Sequence, residues 1–229
     1  VPVPNIWLCK WNTDDVRIEP LGETAYVLRD LEADPYVVAL SLELASIPGI
    51  EEIVPSMNTV GVYINPDIFD PASIVNLKLV SVVRGKTYTV PVVFDGPDLS
   101  EVAQVIGVEP EFMVKAFCGE TYTVVAIGFL PGFPYLTGLP EKLKAIGRRD
   151  EPRIQVPIGS IGIAAGQAGI YPTQSPGGWN LIGATPLRIA DASRAFFPLN
   201  PGDMIRFIEI EKEHLDKYRD KTILDYAND

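Results

Sequence analysis

Three arginines, Arg148, Arg149 and Arg153, fall within six residues of a chain whose formal net charge is −11. A guanidinium presents a planar fork of N–H donors that matches the two oxygens of a carboxylate or phosphate, so the cluster is a candidate anion site. Asp150 and Glu151 lie between the arginines, and internal salt bridging accounts for them equally well. A second set, Gln167 and Tyr171 followed by Ser175, Gly177, Gly178 and Trp179, places amide, phenol, hydroxyl and indole groups on glycine-rich loops. Such glycines either let backbone approach a ligand or turn hairpins. A third, Gly128-Phe-Leu-Pro-Gly-Phe-Pro-Tyr135, interleaves Phe129, Phe133 and Tyr135 with residues that fix or free the backbone. It reads as a rigid loop offering rings to a ligand, or as a turn-rich corner of a core.

Several chemistries are excluded by what is missing. No GxxxxGK[ST] run offers a triphosphate cradle, and no HExxH or His/Cys cluster offers metal ligands. The sole histidine, His214, lies in a charged tail, so a Ser-His-Asp or Cys-His enzyme is disfavoured. Cys9 and Cys118 form no CxxC; the expectation is neither a disulfide nor a thiolate site, but a reducing compartment, the cytoplasm. Cys118, after an apolar helix, reads as packing. A pI near 4.6 repels nucleic acid and anionic lipid. The most apolar run, residues 121–130, ends at Pro131, well short of the ~20 residues of a membrane span. The N-terminal residues lack the pattern of a secretory signal.

The elements that must position these groups fall into two regions, 1–85 and 86–229. In the first, residues 24–28 read as strand and Asp34-Pro35 opens a helix with Val37, Leu40 and Leu44 on its apolar face. Residues 50–54 and 59–64 are strands, Asp70-Pro71 opens a second helix with Ile74 and Leu77, and residues 86–94, just past the boundary, return to strand. That order, βαββαβ, is the ferredoxin-like α+β arrangement. Two short helices follow from Asp98; the surrounding acidity makes them scaffold rather than a DNA-binding pair. Residues 122–209 alternate short apolar runs with Gly and Pro, implying a sandwich or barrel, and 212–229 read as a surface helix or frayed tail.

Taken in order, Pro20-Leu-Gly-Glu-Thr-Ala25, Gly128–Leu136, Arg148-Arg-Asp-Glu-Pro-Arg153, Val156–Gly162, Gly166-Gln167 with Tyr171-Pro172, Ser175-Pro-Gly-Gly-Trp-Asn-Leu-Ile-Gly183 and Pro201-Gly-Asp203 make a distinctive run. The chain resembles the B component of the bacterial ATP-dependent 5-oxoprolinase, the family also called allophanate hydrolase subunit 1 or kinase A inhibitor, with its carboxyltransferase-type domain. The resemblance implies a small α+β domain and a cyclophilin-like β-barrel. It also implies a partner, the C component (allophanate hydrolase subunit 2-like), and an A component supplying the remaining activity. Together they would hydrolyse 5-oxoproline to glutamate with ATP, and no cofactor or metal would be held by this chain alone. Some relatives inhibit a sensor histidine kinase, and related pairs form the carboxyltransferase part of urea carboxylase, so the resemblance implies two alternatives for this chain: an inhibitor with such a kinase as partner, or a carboxyltransferase component acting on urea or a related compound.

Carried over by position, Phe129, Phe133, Tyr135, Arg148, Arg149, Arg153, Gln167, Tyr171, Ser175, Gly177, Gly178 and Trp179 would line a groove shared with the C component. The resemblance assigns no catalytic nucleophile or base to this chain. Three positions depart from the family pattern: Phe117 where a His is common, Ala168 where a Thr is, and Gly147 where Pro precedes the arginines.

Overall fold

Pro35 opens the first helix because its missing N–H would have no helical partner there and its ring presets the helical φ. The structure, a computed structural model, describes residues 16–31, 33, 35–75, 77–80 and 85–228, and the backbone alone of 8–10. Asp34, expected as the cap of that helix, and the side chain of Cys9 lie outside the described residues. The chain divides into two compact units, 1–83 and 84–229.

The first unit contains β1 (Leu8–Lys10), β2 (Arg17–Pro20), β3 (Ala25–Arg29), α1 (Pro35–Ala45), β4 (Ile50–Pro55), β5 (Val60–Ile64), α2 (Ala72–Val75) and β6 (Lys78–Val80). Strands β2-β3-β5-β4 make an antiparallel sheet, and β1 pairs with β6. The expected ferredoxin-like sheet would have been completed by residues 86–94. Instead β2 takes the place beside β3 as its hairpin neighbour, from Arg17 opposite Arg29 to Pro20 opposite Tyr26. A short hairpin costs less closure entropy than a return from residue 86. Helix α1 is apolar on nearly every side, so spacing does not select its buried face. Val37, Val38 and Leu42 go under, while Leu44, expected inside, is 52% exposed. Gly49 is required where it is: at φ +85° its added Cβ would lie 2.6 Å from the Phe69 nitrogen.

The second unit contains β7 (Thr87–Val92), α3 (Leu99–Val105), α4 (Pro110–Cys118), β8 (Tyr122–Ile127), β9 (Pro134–Thr137), α5 (Glu141–Lys144), β10 (Arg153–Val156), β11 (Ser160–Ala164), β12 (Gln167–Ile170), β13 (Ser175–Gly177), β14 (Asn180–Ala184), β15 (Met204–Glu209) and β16 (Ala227–Asn228). Eight strands form one sheet in the order β14-β11-β12-β9-β8-β15-β7-β16. Residues 86–94 do yield a strand, but β7 runs parallel to β15, from Thr87 opposite Met204 to Val92 opposite Glu209.

Where a barrel was expected, the described residues form no closed one. The segment after β7 instead meets β14 at a single bridge, Val93 and Ala184 exchanging two hydrogen bonds of 2.9 Å. Beyond it, Gly96 and Asp98 donate their N–H groups to the Ile182 and Leu181 carbonyls, which delivers Asp98 to the face of β14. Strands β10 and β13 form a separate ribbon with Arg153 opposite Gly177.

The core of this unit is apolar sheet covered by helices. Val102 and Ala103 of α3 and Met113 and Phe117 of α4 are buried in it, and the Phe117 ring lies 4.9 Å from Tyr122 and 5.0 Å from Phe207. The tail is not a frayed end. Short 3-10 turns at Lys212–Tyr218 and Ile223–Tyr226 bring Ile223 to complete burial, and β16 pairs with the start of β7. One apolar anchor inside a charged stretch was too sparse a signal to show as periodicity.

Candidate functional site

The chain between α5 and β10 exposes most of its side chains, and Arg149 and Arg153 are turned inward by one carboxylate. Asp98, with 3% of its side chain exposed, accepts from Arg149 Nη1 at 2.7 Å and Arg153 Nη2 at 2.6 Å, both on Oδ1. Its Oδ2 accepts the Leu181 N–H at 2.6 Å. Charge-assisted bonds of this length are among the strongest a protein makes. Asp98 stands at the N-cap position of α3 yet makes no side-chain cap bond, because its carboxylate is committed to the arginines and to β14.

Further bonds hold the backbone around them. The Arg149 N–H donates to the Gly178 carbonyl at 2.8 Å, and Asn180 Nδ2 donates to the Gly147 carbonyl at 2.8 Å. Salt bridging therefore does occur, but with an acid distant in sequence: neither Asp150 nor Glu151 pairs with these arginines among the described residues. Glu101 approaches Arg149 at 3.8 Å. Arg148 is exposed and forms no ion pair among the described residues. Asp98 balances one of the two guanidiniums, and the exposed Glu101 stands in ion-pair range of Arg149. Buried Arg149 Nε and Arg153 Nη1 have no hydrogen-bond partner among the described residues. Beside Arg149 lies an open cleft of about 440 Å³ walled by Val102 and Val105 of α3 and by Arg148 and Arg149, with the carboxylates Glu101, Asp150 and Glu151 also on its lining; Arg153 is not part of it.

The aromatic residues divide. Phe133, Tyr171 and Trp179 are buried, with Val156, Ala164 and Leu181, in a small core of their own. Phe133 is its hub, 5.2 Å from Tyr171 and 5.6 Å from Trp179 in edge-on contacts. Tyr135 is half-buried and Phe129 is 61% exposed at φ +65°, an uncommon conformation for a bulky residue. The expected groove wall is thus mostly support, with Phe129 and Tyr135 alone showing rings to solvent. Gly177 lies against the Tyr171 ring, where an added Cβ would meet the phenol oxygen at 2.5 Å. Burial raises the Tyr171 phenol above its ordinary range, while a backbone hydrogen bond from Trp179 and the charges of Arg148 and Arg153 pull it down. Tyr171 thus lies within electrostatic range of Arg148 and Arg153. Gln167 and Ser175 are buried, Ser175 Oγ donating to the Pro176 carbonyl at 3.1 Å, and Gly178 packs over Pro152.

Sequence reasoning missed Asp98 as a site residue. The one available signal was an acidic residue after Gly96-Pro97, and it read as the start of a helix. Cys118 carries a free, half-buried thiol that burial, chiefly, and the Glu209 charge push up to about 11, so it is a poor nucleophile. His214 is exposed. Among the described residues no helix is long and apolar enough to cross a membrane.

The family described as carboxyltransferase domain, subdomain C and D, matches residues 16–198. The chain is 37% identical over 204 residues to the B component of 5-oxoprolinase from Escherichia coli O157:H7, covering 82% of this chain and 93% of that protein. The chain belongs to the 5-oxoprolinase B-component family. Of solved structures, TTHA0988 is similar with a TM-score of 0.72 at 32% identity, over 82% of this chain and 40% of that one. The K. lactis urea amidolyase has a TM-score of 0.69 over 98% of this chain and 16% of that one, at 16% identity, a likeness of fold alone.

In this member of the 5-oxoprolinase B-component family, the Arg149 and Arg153 heads bond to Asp98 and, among the described residues, to none of the three departing positions. Phe117 is fully buried among Phe94, Tyr122 and Phe207, and Ala168 is fully buried in the main core opposite Leu136. Gly147 has open space where a Cβ would stand and contributes its carbonyl to Asn180.

Proposed function

We propose that the chain is one component of a multi-subunit, ATP-dependent 5-oxoprolinase that hydrolyses 5-oxo-L-proline to L-glutamate, working in the cytoplasm with the C and A components as partners. The family supports the assignment, and one observation carries the chemistry: Arg149, fixed by the buried Asp98 carboxylate, and the exposed Arg148 bring guanidinium groups to the wall of an open cleft. The substrate carries a carboxylate at neutral pH. A guanidinium partner for it contributes roughly 1.5–3 kcal/mol per hydrogen bond. Donors held on rigid loops need no reorganisation when charge builds on the lactam oxygen. In this reading the buried aromatics keep the loops rigid, Phe129 and Tyr135 present the apolar surface, and ATP is consumed on the partner components.

The test is glutamate release from 5-oxoproline and ATP by the reconstituted complex, with and without this chain. Dependence on the chain is the expected result; unchanged release without it would sink the assignment. The family's carboxyltransferase description favours a second reading, carboxyl transfer to urea or a related compound. Incorporation of labelled bicarbonate into such an acceptor, in place of glutamate release, would establish it.

A further inference from the structure

The cleft beside α3 carries both signs of charge over an apolar floor. One wall is α3 and the other is the chain from Ala145 to Glu151; each gives a buried side chain to the floor, Val102 and Ile146, with the exposed Val105 beside them. The second wall is preformed. The Ile146 carbonyl accepts the Ala165 N–H at 2.7 Å, the Gly147 carbonyl accepts Asn180 Nδ2 at 2.8 Å, and the Arg149 N–H donates to the Gly178 carbonyl at 2.8 Å. A ligand there meets backbone already fixed, so little ordering cost is left to binding. The volume of about 440 Å³ falls in the ~300–1,000 Å³ range of small-molecule sites.

Charge then selects among small molecules. Arg149 commits its charge to the buried Asp98 behind the wall, at 2.7 Å. The lining keeps one uncommitted guanidinium, Arg148, against three carboxylates: Asp150 and Glu151 on the same loop and Glu101 on α3. Glu101 is 70% exposed and 3.8 Å from Arg149, a loose contact that a closer cation can replace. These carboxylates do not converge into a group that could hold a metal ion, so a cation that meets them must be spread along a molecule. A plain anion would be repelled by the three carboxylates and a plain diamine by Arg148. One carboxylate and two ammonium groups on an aliphatic stem satisfy both signs, with the methylenes covering Val102 and Ile146.

We propose that the cleft beside α3 binds a free basic α-amino acid, its carboxylate on Arg148, its ammonium groups on Glu101, Asp150 and Glu151, and its aliphatic stem on the apolar floor. Binding does not depend on the reaction proposed above. Only competition with 5-oxoproline, for Arg148, rests on that reading.

The experiment is titration of the full chain at low ionic strength, followed by ligand-observed NMR, with three matched probes: L-lysine, L-norleucine, which lacks the side-chain ammonium, and cadaverine, which lacks the carboxylate. Lysine is expected to bind about fivefold more tightly than either, the factor for one exposed ion pair at the upper end of its usual strength, and to lose that preference at high salt. Arg148→Gln should erase the preference over cadaverine and keep the one over norleucine. Asp150→Asn combined with Glu151→Gln should do the opposite. These side chains are exposed, so both variants keep the fold. Absence of lysine binding, equal affinity for the three probes, or a preference that neither variant changes overturns the proposal. On the reconstituted complex, lysine should raise the KM for 5-oxoproline and leave kcat alone. Lysine that binds with the expected preferences yet leaves that KM unchanged takes the cleft out of the reaction and supports the ligand assigned to it. An active complex to which lysine neither binds nor shows competition overturns the ligand and leaves the 5-oxoprolinase reading standing.

Discussion

The Asp98 knot and the Phe133 cluster are neighbours in the second unit, both drawing on residues 129–179, and they are held together by opposite means. Phe133 meets Phe129, Tyr135, Tyr171 and Trp179 edge-on at centroid distances of 5.1 to 5.6 Å, and each contact adds a modest amount on top of area removed from water. The knot has three charged members, and removing one strands the others, because a buried charge without its partner bears its full desolvation cost. Residues of one candidate groove are thus held by different forces, the aromatics by packing and the arginines by charge.

Four substitutions can break or sharpen that contrast. Phe133→Ala should have the largest effect on folding, about 3–5 kcal/mol, since it empties the hub of a packed cluster. Urea denaturation should show the loss at low and high salt alike, and salt dependence would contradict its apolar character. Asp98→Ala should cost about 3 kcal/mol, the lower end for a broken buried ion pair, because each arginine retains a path to water. A loss below about 1 kcal/mol would mean the arginines relax outward freely and the knot supports nothing. Gly177→Ala should cost about 1–3 kcal/mol by overpacking, as its new Cβ runs into the Tyr171 phenol; an unchanged melting temperature would show that Tyr171 can yield. Phe129→Gly should change stability by less than about 1 kcal/mol, because relief of the left-handed backbone offsets the freedom glycine gains in the unfolded chain. A larger loss would make Phe129 a member of the cluster rather than its exposed fringe.

Much of the secondary structure was legible because its cues are local. Pro35 opened a helix, the alternation over residues 86–94 made a strand, and Gly/Pro punctuation after residue 122 divided short strands. Pairing was less legible. Strand β7 was expected beside strands that precede it, but its long neighbour, β15, begins at Met204. At the site, the arginine cluster was recognisable from residue type alone, and its local acids, Asp150 and Glu151, were the reasonable partners. They stay exposed in water, where pairing yields little, while Asp98 is buried, where an unpaired charge is costly.

Sequence by itself determined that this acidic chain has an arginine cluster, aromatic loops, no nucleotide cradle and the ordered motifs of its family, because composition and short-range spacing carry that information. Tertiary structure decided which aromatics are buried and which carboxylate the arginines hold. Asp98 lies 51 and 55 residues from its two arginines and 83 from the backbone N–H it accepts. Only folding brings groups that distant together, and only burial makes their pairing obligatory.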